Sequence, residues 1–166
     1  SGDGGDEIFG GYRKHIGEKW SSVPYLIPKF IRNIIIKLLI ENKNTNYGEI
    51  SRRIRRYLMN ISKDGSERQA GWLEQINEDS IKKLLGRNIE YTKNLLEIYR
   101  MPFKDPINAM LAADLGFSLP GDMLVKADRM SMANSLEVRS PFLDKELVEY
   151  VFAIPGKFKI GNFKGK

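Results

Sequence analysis

Apolar residues recur along most of this chain at a spacing of three and four, a period that favours helices over strands. Phe30, Ile31, Ile34, Ile35, Leu38 and Leu39 make one broad apolar face over Lys29 to Glu41, the pattern of a core helix. Ile50, Ile54, Tyr57, Leu58 and Ile61 line a second helix whose other face carries Arg52, Arg53, Arg55 and Arg56. Trp72, Leu73 and Ile76 predict a third after Ser66. Ile81, Leu84 and Leu85 predict a short one capped by Asp79 or Ser80, and Tyr91, Leu95, Leu96 and Tyr99 predict another. Asp105-Pro106 is an N-cap followed by a first-turn proline, opening a helix over Ile107 to Phe117. Pro120-Gly121 is expected to break it, with Asp122 capping the next, from Met123 to about Asn134. Asp144 caps a last helix with Leu147, Val148, Val151 and Phe152 on its apolar side, ended by Pro155-Gly156. No stretch reads as a hairpin, so the expected class is mainly α.

At 166 residues, 42% of them apolar, the chain is long enough to bury a core and is expected to be a single partial domain spanning 1–166. Its formal charge of +6 suits nucleotide phosphates or nucleic acid without choosing between them. The absence of cysteine excludes a disulfide framework and thiolate catalysis. The longest apolar run, Phe30 to Ile40, is interrupted by Arg32, Asn33 and Lys37, so no membrane partner is expected. The chain opens without Met inside a glycine-rich loop, and the expectation is a piece of a longer protein.

Two stretches carry the candidate chemistry. In Ser1-Gly-Asp-Gly-Gly-Asp-Glu7 the glycines let backbone approach a ligand, and a helix over Asp6 to His15 would turn its N-terminal N–H groups toward an anion. The carboxylates Asp3, Asp6 and Glu7 repel phosphate directly, so Mg²⁺ between them and the phosphates makes the combination sensible. The spacing is neither that of an EF-hand nor that of a Walker loop. Gly10 and Gly11 weaken the following helix by about 1 kcal/mol each against Ala, which predicts close packing there. In Leu124 to Asp144, Lys126, Asp128, Arg129, Glu137, Arg139 and Asp144 stand among apolar residues expected to be buried. They read as a buried ion-pair scaffold or as a binding wall, and the two stretches are expected to meet at one site. His15 has no nucleophile pattern near it and is expected at the surface, as is the arginine face of Arg52 to Arg56.

Ser1 to Tyr12 together with Asp122 to Asp144 closely resembles the synthetase domain of glutamine-hydrolysing asparagine synthetases, two long motifs in the right order over about a quarter of the chain. A looser match runs through Leu147 to Lys166, while Gly17 to Lys104 carries no matching motif. The resemblance implies the helical C-terminal portion of an α/β adenine-nucleotide α-hydrolase-like domain, lacking the sheet core. It implies a cytoplasmic ligase in which the aspartate side-chain carboxylate attacks the α-phosphorus of ATP and ammonia then displaces AMP from the adenylate. By resemblance, Ser1, Gly2, Asp3, Gly4 and Asp6 are nucleotide-binding and Asp6 a Mg²⁺ ligand. Asp3, Glu137 and Lys166 look catalytic, with Lys164 as the alternative for the last, and Arg129 and Arg139 look substrate-positioning.

The departures from the family are as informative. The pyrophosphate-binding Ser-Gly-Gly-x-Asp-Ser loop and the glutaminase cysteine are absent from this sequence, so the implied partners include upstream glutaminase and pyrophosphate-loop segments of the same protein. The chain alone is expected to be inactive. Two alternatives are a relative that amidates another carboxylate, such as one on a surface sugar, and a helical module that uses Arg52 to Arg56 on a polyanion; nucleic acid is not the expected partner.

Overall fold

Asp105 does at one point what two separate caps do elsewhere. In the computed structural model, which describes residues 1–21, 28–41, 48–61, 63–73, 78–86 and 91–161, its Oδ1 accepts from the backbone N–H groups of Ile107 (2.9 Å) and Asn108 (3.1 Å), opening α8 (Pro106–Ala113). Its Oδ2 accepts from Gly156 N at 2.9 Å, at the start of α11 (Gly156–Lys159). Asn108, buried beside it, donates from Nδ2 to the carbonyls of Phe152 and Ile154 at the end of α10 (Lys145–Ala153). Those carbonyls have no partner within their own helix, so a buried amide replaces water there.

These contacts belong to the first of two compact units, Ser1–Lys19 with Leu95–Lys166. Its core is α8, whose Ile107, Ala109, Met110, Leu111 and Ala113 are buried. Around it lie α1 (Gly5–Phe9), α2 (Arg13–Lys19) and α11. Ile107 and Leu111 pack with Ile160, Ile16 and Phe152. Asp144 caps α10 as its sequence predicts, accepting from Glu146 N and Leu147 N at 3.0 and 3.2 Å.

Two expected helix boundaries fail in this unit. The helix expected over Asp6 to His15 is two helices, because Gly10 takes φ 77° and closes α1 by donating to the Asp6 carbonyl. Close packing at the glycines does hold, since Ile160 lies 2.8 Å from where a Cβ on Gly10 would stand and the Asp6 carboxylate lies against Gly11. Pro120-Gly121 does not break the chain either. α8 continues through a π-helical stretch, Asp114–Leu124, into α9 (Val125–Met132), with Pro120 and Asp122 inside it. The wider π turn draws the i−4 carbonyl away from the proline ring, so the usual clash is relieved without ending the helix.

The second unit, Trp20–Asn94, holds α3 (Lys29–Glu41), α4 (Gly48–Asn60), α5 (Gly65–Leu73) and α6 (Glu78–Leu85); α7 (Tyr91–Arg100) runs from it into the first. α4 packs on both α3 and α5, with Leu58 and Ile61 buried. Asp64 opens α5 by accepting from Glu67 N at 2.9 Å. α6 starts at Glu78, so Asp79 and Ser80 lie in its first turn and not at its cap. α3 forms as expected but is not a core helix: Phe30, Ile34 and Leu38 are 64%, 54% and 57% exposed. Among the described residues there is no strand, and none of their helices is long and apolar enough to cross a membrane.

Candidate functional site

The two stretches singled out in the sequence meet. The Ser1 backbone nitrogen donates to the Arg139 carbonyl at 2.6 Å, across 138 positions, and the Ser1 and Ser140 hydroxyls are 3.0 Å apart. Within the loop, Ser1 Oγ donates to Asp3 Oδ2 at 2.6 Å and accepts from Asp3 N at 3.2 Å, a tight turn that holds the carboxylate beside the 139–140 strap. Gly4 then takes φ 91° with the Leu143 side chain where a Cβ would stand. A larger residue would be strained by its backbone and would displace Leu143. Phe9 on α1 meets Phe142 edge-on at 6.3 Å between centroids, so the strap is held at two places.

The three acids of the loop do not act alike. Asp3 and Asp6 are half-buried, but Glu7 is only 3% exposed and its Oε1 accepts from Tyr12 Oη at 2.6 Å. Glu7 is therefore turned inward, away from any ligand at the loop. α1 is five residues long, so the helix-dipole attraction expected of a longer Asp6 to His15 helix is correspondingly small.

The stretch from Leu124 to Asp144 is not the buried charge scaffold anticipated. Lys126, Asp128, Arg129, Glu137, Arg139 and Asp144 are all exposed, as are Val125, Met130, Met132, Leu136 and Val138. The one ion pair there among the described residues joins Arg139 Nε to Glu137 Oε1 at 2.7 Å, with both side chains mostly in water. Such a pair contributes little. It is the Arg139 backbone carbonyl, not this side-chain pair, that meets Ser1. Arg129 lies on α9 and its side chain has no ion pair among the described residues. Lys164 and Lys166 lie outside the described residues.

The buried polar cluster is elsewhere, around Asp114. His15, expected at the surface, is 1% exposed, and its Nε2 lies 2.7 Å from Asp114 Oδ2. Lys14 Nζ donates to Asp114 Oδ1 at 2.6 Å. His15 Nδ1 accepts from Tyr12 N at 3.3 Å, which leaves Nε2 as the protonated nitrogen that donates to Asp114. Burial pushes the Asp114 carboxyl up, but the His15 hydrogen bond and the Lys14 charge outweigh it and hold it below the usual carboxylate value. Burial, then the Glu7 hydrogen bond, pushes the Tyr12 phenol up. The signal for this cluster was a lone acid, Asp114, in the apolar run Ile107 to Phe117. A buried acid needs a cation and hydrogen-bond donors, and Lys14 supplies the charge while His15 Nε2 donates.

Neither Asp3 nor Asp6 has an ion-pair partner among the described residues, and those residues hold no group of three or more acids or histidines that would cage a metal. Mg²⁺ bound with a nucleotide takes one or two protein carboxylates and completes its shell with phosphate oxygens and water. A single loop carboxylate, such as Asp6, is enough for a metal that arrives with a nucleotide.

Comparison with known proteins identifies the family. The Asparagine synthase family profile matches residues 1–166. The chain is similar to asparagine synthetase [glutamine-hydrolyzing] 1 of Bacillus subtilis, 31% identical over 98% of this chain and 25% of the relative. It is also similar to a putative asparagine synthetase [glutamine-hydrolyzing] of Mycobacterium tuberculosis, 34% identical over 96% of this chain and 24% of the relative. With a second Bacillus subtilis relative, asparagine synthetase [glutamine-hydrolyzing] 3, it shares 51% identity over 27% of this chain and 7% of the relative. The chain thus spans about a quarter of the length of the two longer matches. No solved structure matches it significantly.

Proposed function

This chain belongs to the asparagine synthase family, and from that premise we propose that it supplies part of the nucleotide site of an ATP-dependent ligase that amidates the aspartate side chain. The observation that carries the reading is the Ser1 to Asp3 loop held against Arg139 and Ser140. It brings acidic and basic groups from opposite ends of the sequence to one edge. In the proposed reaction an aspartate carboxylate oxygen bonds to the α-phosphorus of ATP and the bond to the bridging oxygen breaks, releasing pyrophosphate. Ammonia then attacks the acyl carbon, AMP leaves, and the nitrogen gives up a proton.

Ser1, Gly2 and Gly4 would let backbone approach the nucleotide. Asp6 would hold Mg²⁺, which screens the charge of the departing pyrophosphate. Asp3 is the group suited to take the ammonia proton, and Arg129, Glu137 and Arg139 to orient the carboxylate substrate. Lys166, or Lys164, would stabilise charge on the leaving phosphate. Glutamine hydrolysis and the pyrophosphate loop would come from other parts of a longer protein, and the consumption of ATP points to the cytoplasm.

Turnover of ATP to AMP and pyrophosphate by the full-length protein, with aspartate and ammonia, tests the reading. Asp3→Asn is expected to lower kcat by about 10² or more, the range of a lost general base. Activity with another carboxylate and none with aspartate would redirect the substrate assignment. AMP formation by residues 1–166 alone would overturn the shared-site reading.

A further inference from the structure

We propose that Tyr12, His15 and Asp114 are positioning residues for the nucleotide site, holding α1 so that Glu7 faces the interior and its neighbour Asp6 is left for the ligand. The inference rests on the nucleotide reading of the loop. Asp6 and Glu7 are adjacent carboxylates on a five-residue helix bounded by glycines at Gly4 and Gly10, both with positive φ. A helix that short has few hydrogen bonds to fix its own rotation. What fixes it lies outside the helix.

Glu7 is held by the Tyr12 hydroxyl at 2.6 Å, and Tyr12 is held through its backbone N–H by His15 Nδ1 at 3.3 Å. His15 is in turn held by Asp114 at 2.7 Å. Lys14 closes the group, donating to Asp114 and lying 5.4 Å from the Tyr12 ring centroid. Asp114 is the first residue of the π-helical stretch that runs into α9, the helix carrying Arg129. The chain of contacts therefore couples the loop bearing Asp3 and Asp6 to the helix that leads to the second stretch.

Without the Tyr12 hydroxyl, a buried carboxylate has lost its donor and is driven toward water. The nearest route for Glu7 is a rotation of α1, which would move Asp6. Deprotonated Asp114 and neutral His15 are the states this geometry requires, because a proton on His15 Nδ1 would face the Tyr12 N–H.

The test uses the full-length protein and Tyr12→Phe, which keeps the ring against His15 and removes the hydroxyl. Wild-type turnover with aspartate is established first; its absence would remove the nucleotide reading itself. Given wild-type activity, Y12F is expected to raise KM for MgATP about 10-fold, as for loss of an outer-shell partner. KM for aspartate should stay within about 2-fold. Calorimetric binding of the α,β-methylene analogue of ATP should weaken by the same factor. Adding Glu7→Gln should restore most of that affinity, since a neutral amide is not driven out as a carboxylate is. A lower Tm with unchanged nucleotide KM and analogue binding would mean a purely structural role and overturn the proposal. Glu7→Gln alone keeps the Tyr12 contact and folds independently of how Y12F behaves. It should leave KM for MgATP unchanged, and loss of turnover in it would make Glu7 a ligand and overturn the proposal equally.

Discussion

Lys159 donates to Asn108 Oδ1 at 2.8 Å and its ammonium lies 4.5 Å from the Phe152 ring centroid, half-buried against α8 and α10. Burial pushes its pKa down to about 8 from 10.5, with the Asp105 charge acting in the opposite direction. A lowered lysine pKa means that the unfolded chain binds more protons than the folded one between those two values. Stability therefore rises with pH from about 8 toward 10.5 as far as this group is concerned. Lys159→Met should flatten that segment of the pH–Tm curve, and parallel curves for wild type and variant would refute the assignment. Asp114 gives a slope of the same sign in the acid range: its lowered pKa stabilises the fold above the unfolded value of 3.8, and that stability is lost as pH falls through the folded one. His15 shows the limit of reading single residues. Nothing in its neighbours along the chain predicted burial, because its partner Asp114 is 99 positions away.

At the level of elements, the most local rules were the most dependable. The caps at Asp105 and Asp144 follow from an acid placed just before a helix, and both accept the two backbone N–H groups expected of them. Asp105 also holds Gly156 N, so Asp105→Ala removes partners from two helices at once. It should cost about 2 kcal/mol, one cap at each helix, in urea denaturation. A loss below about 0.5 kcal/mol, the level of an ordinary surface substitution, would count against the double cap. Pro120 obeyed no such local rule. Its missing N–H and bulky ring favour a break, but α8 and α9 are joined by the packed stretch around buried Leu119, and the helix widened instead of ending. Tertiary packing overrode a propensity of about 3 kcal/mol.

For the molecule as a whole, the apolar residues Val125, Met130, Met132, Leu136 and Val138 are 39–62% exposed along one stretch of sequence. Exposed apolar surface of this kind is a source of association in water. Replacing Met130, Met132 and Leu136 together by Lys in residues 1–166 should lower self-association and apolar-dye binding. Each change should alter stability by no more than about 0.5 kcal/mol, as expected of exposed positions. A large fall in Tm would show that these side chains are packed in solution. The arginines of α4 have the opposite character: Arg52, Arg53 and Arg56 are exposed, the solvated face their spacing predicted.

The sequence by itself determined the mainly helical class, the caps at Asp105 and Asp144, and the two stretches that meet at Ser1 and Arg139, because periodicity, capping and motif order are written in neighbouring residues. It did not determine which helix faces were covered. The six-residue apolar pattern of Lys29 to Glu41 specifies a sided helix equally well whether that side is buried or, as at Phe30, exposed. Nor did it separate Asp6 from Glu7, adjacent acids of which one lies half-buried against Gly11 and the other is buried on Tyr12. Only the tertiary structure decided that, since the rotation of a five-residue helix is set by what packs on it and not by its own few hydrogen bonds.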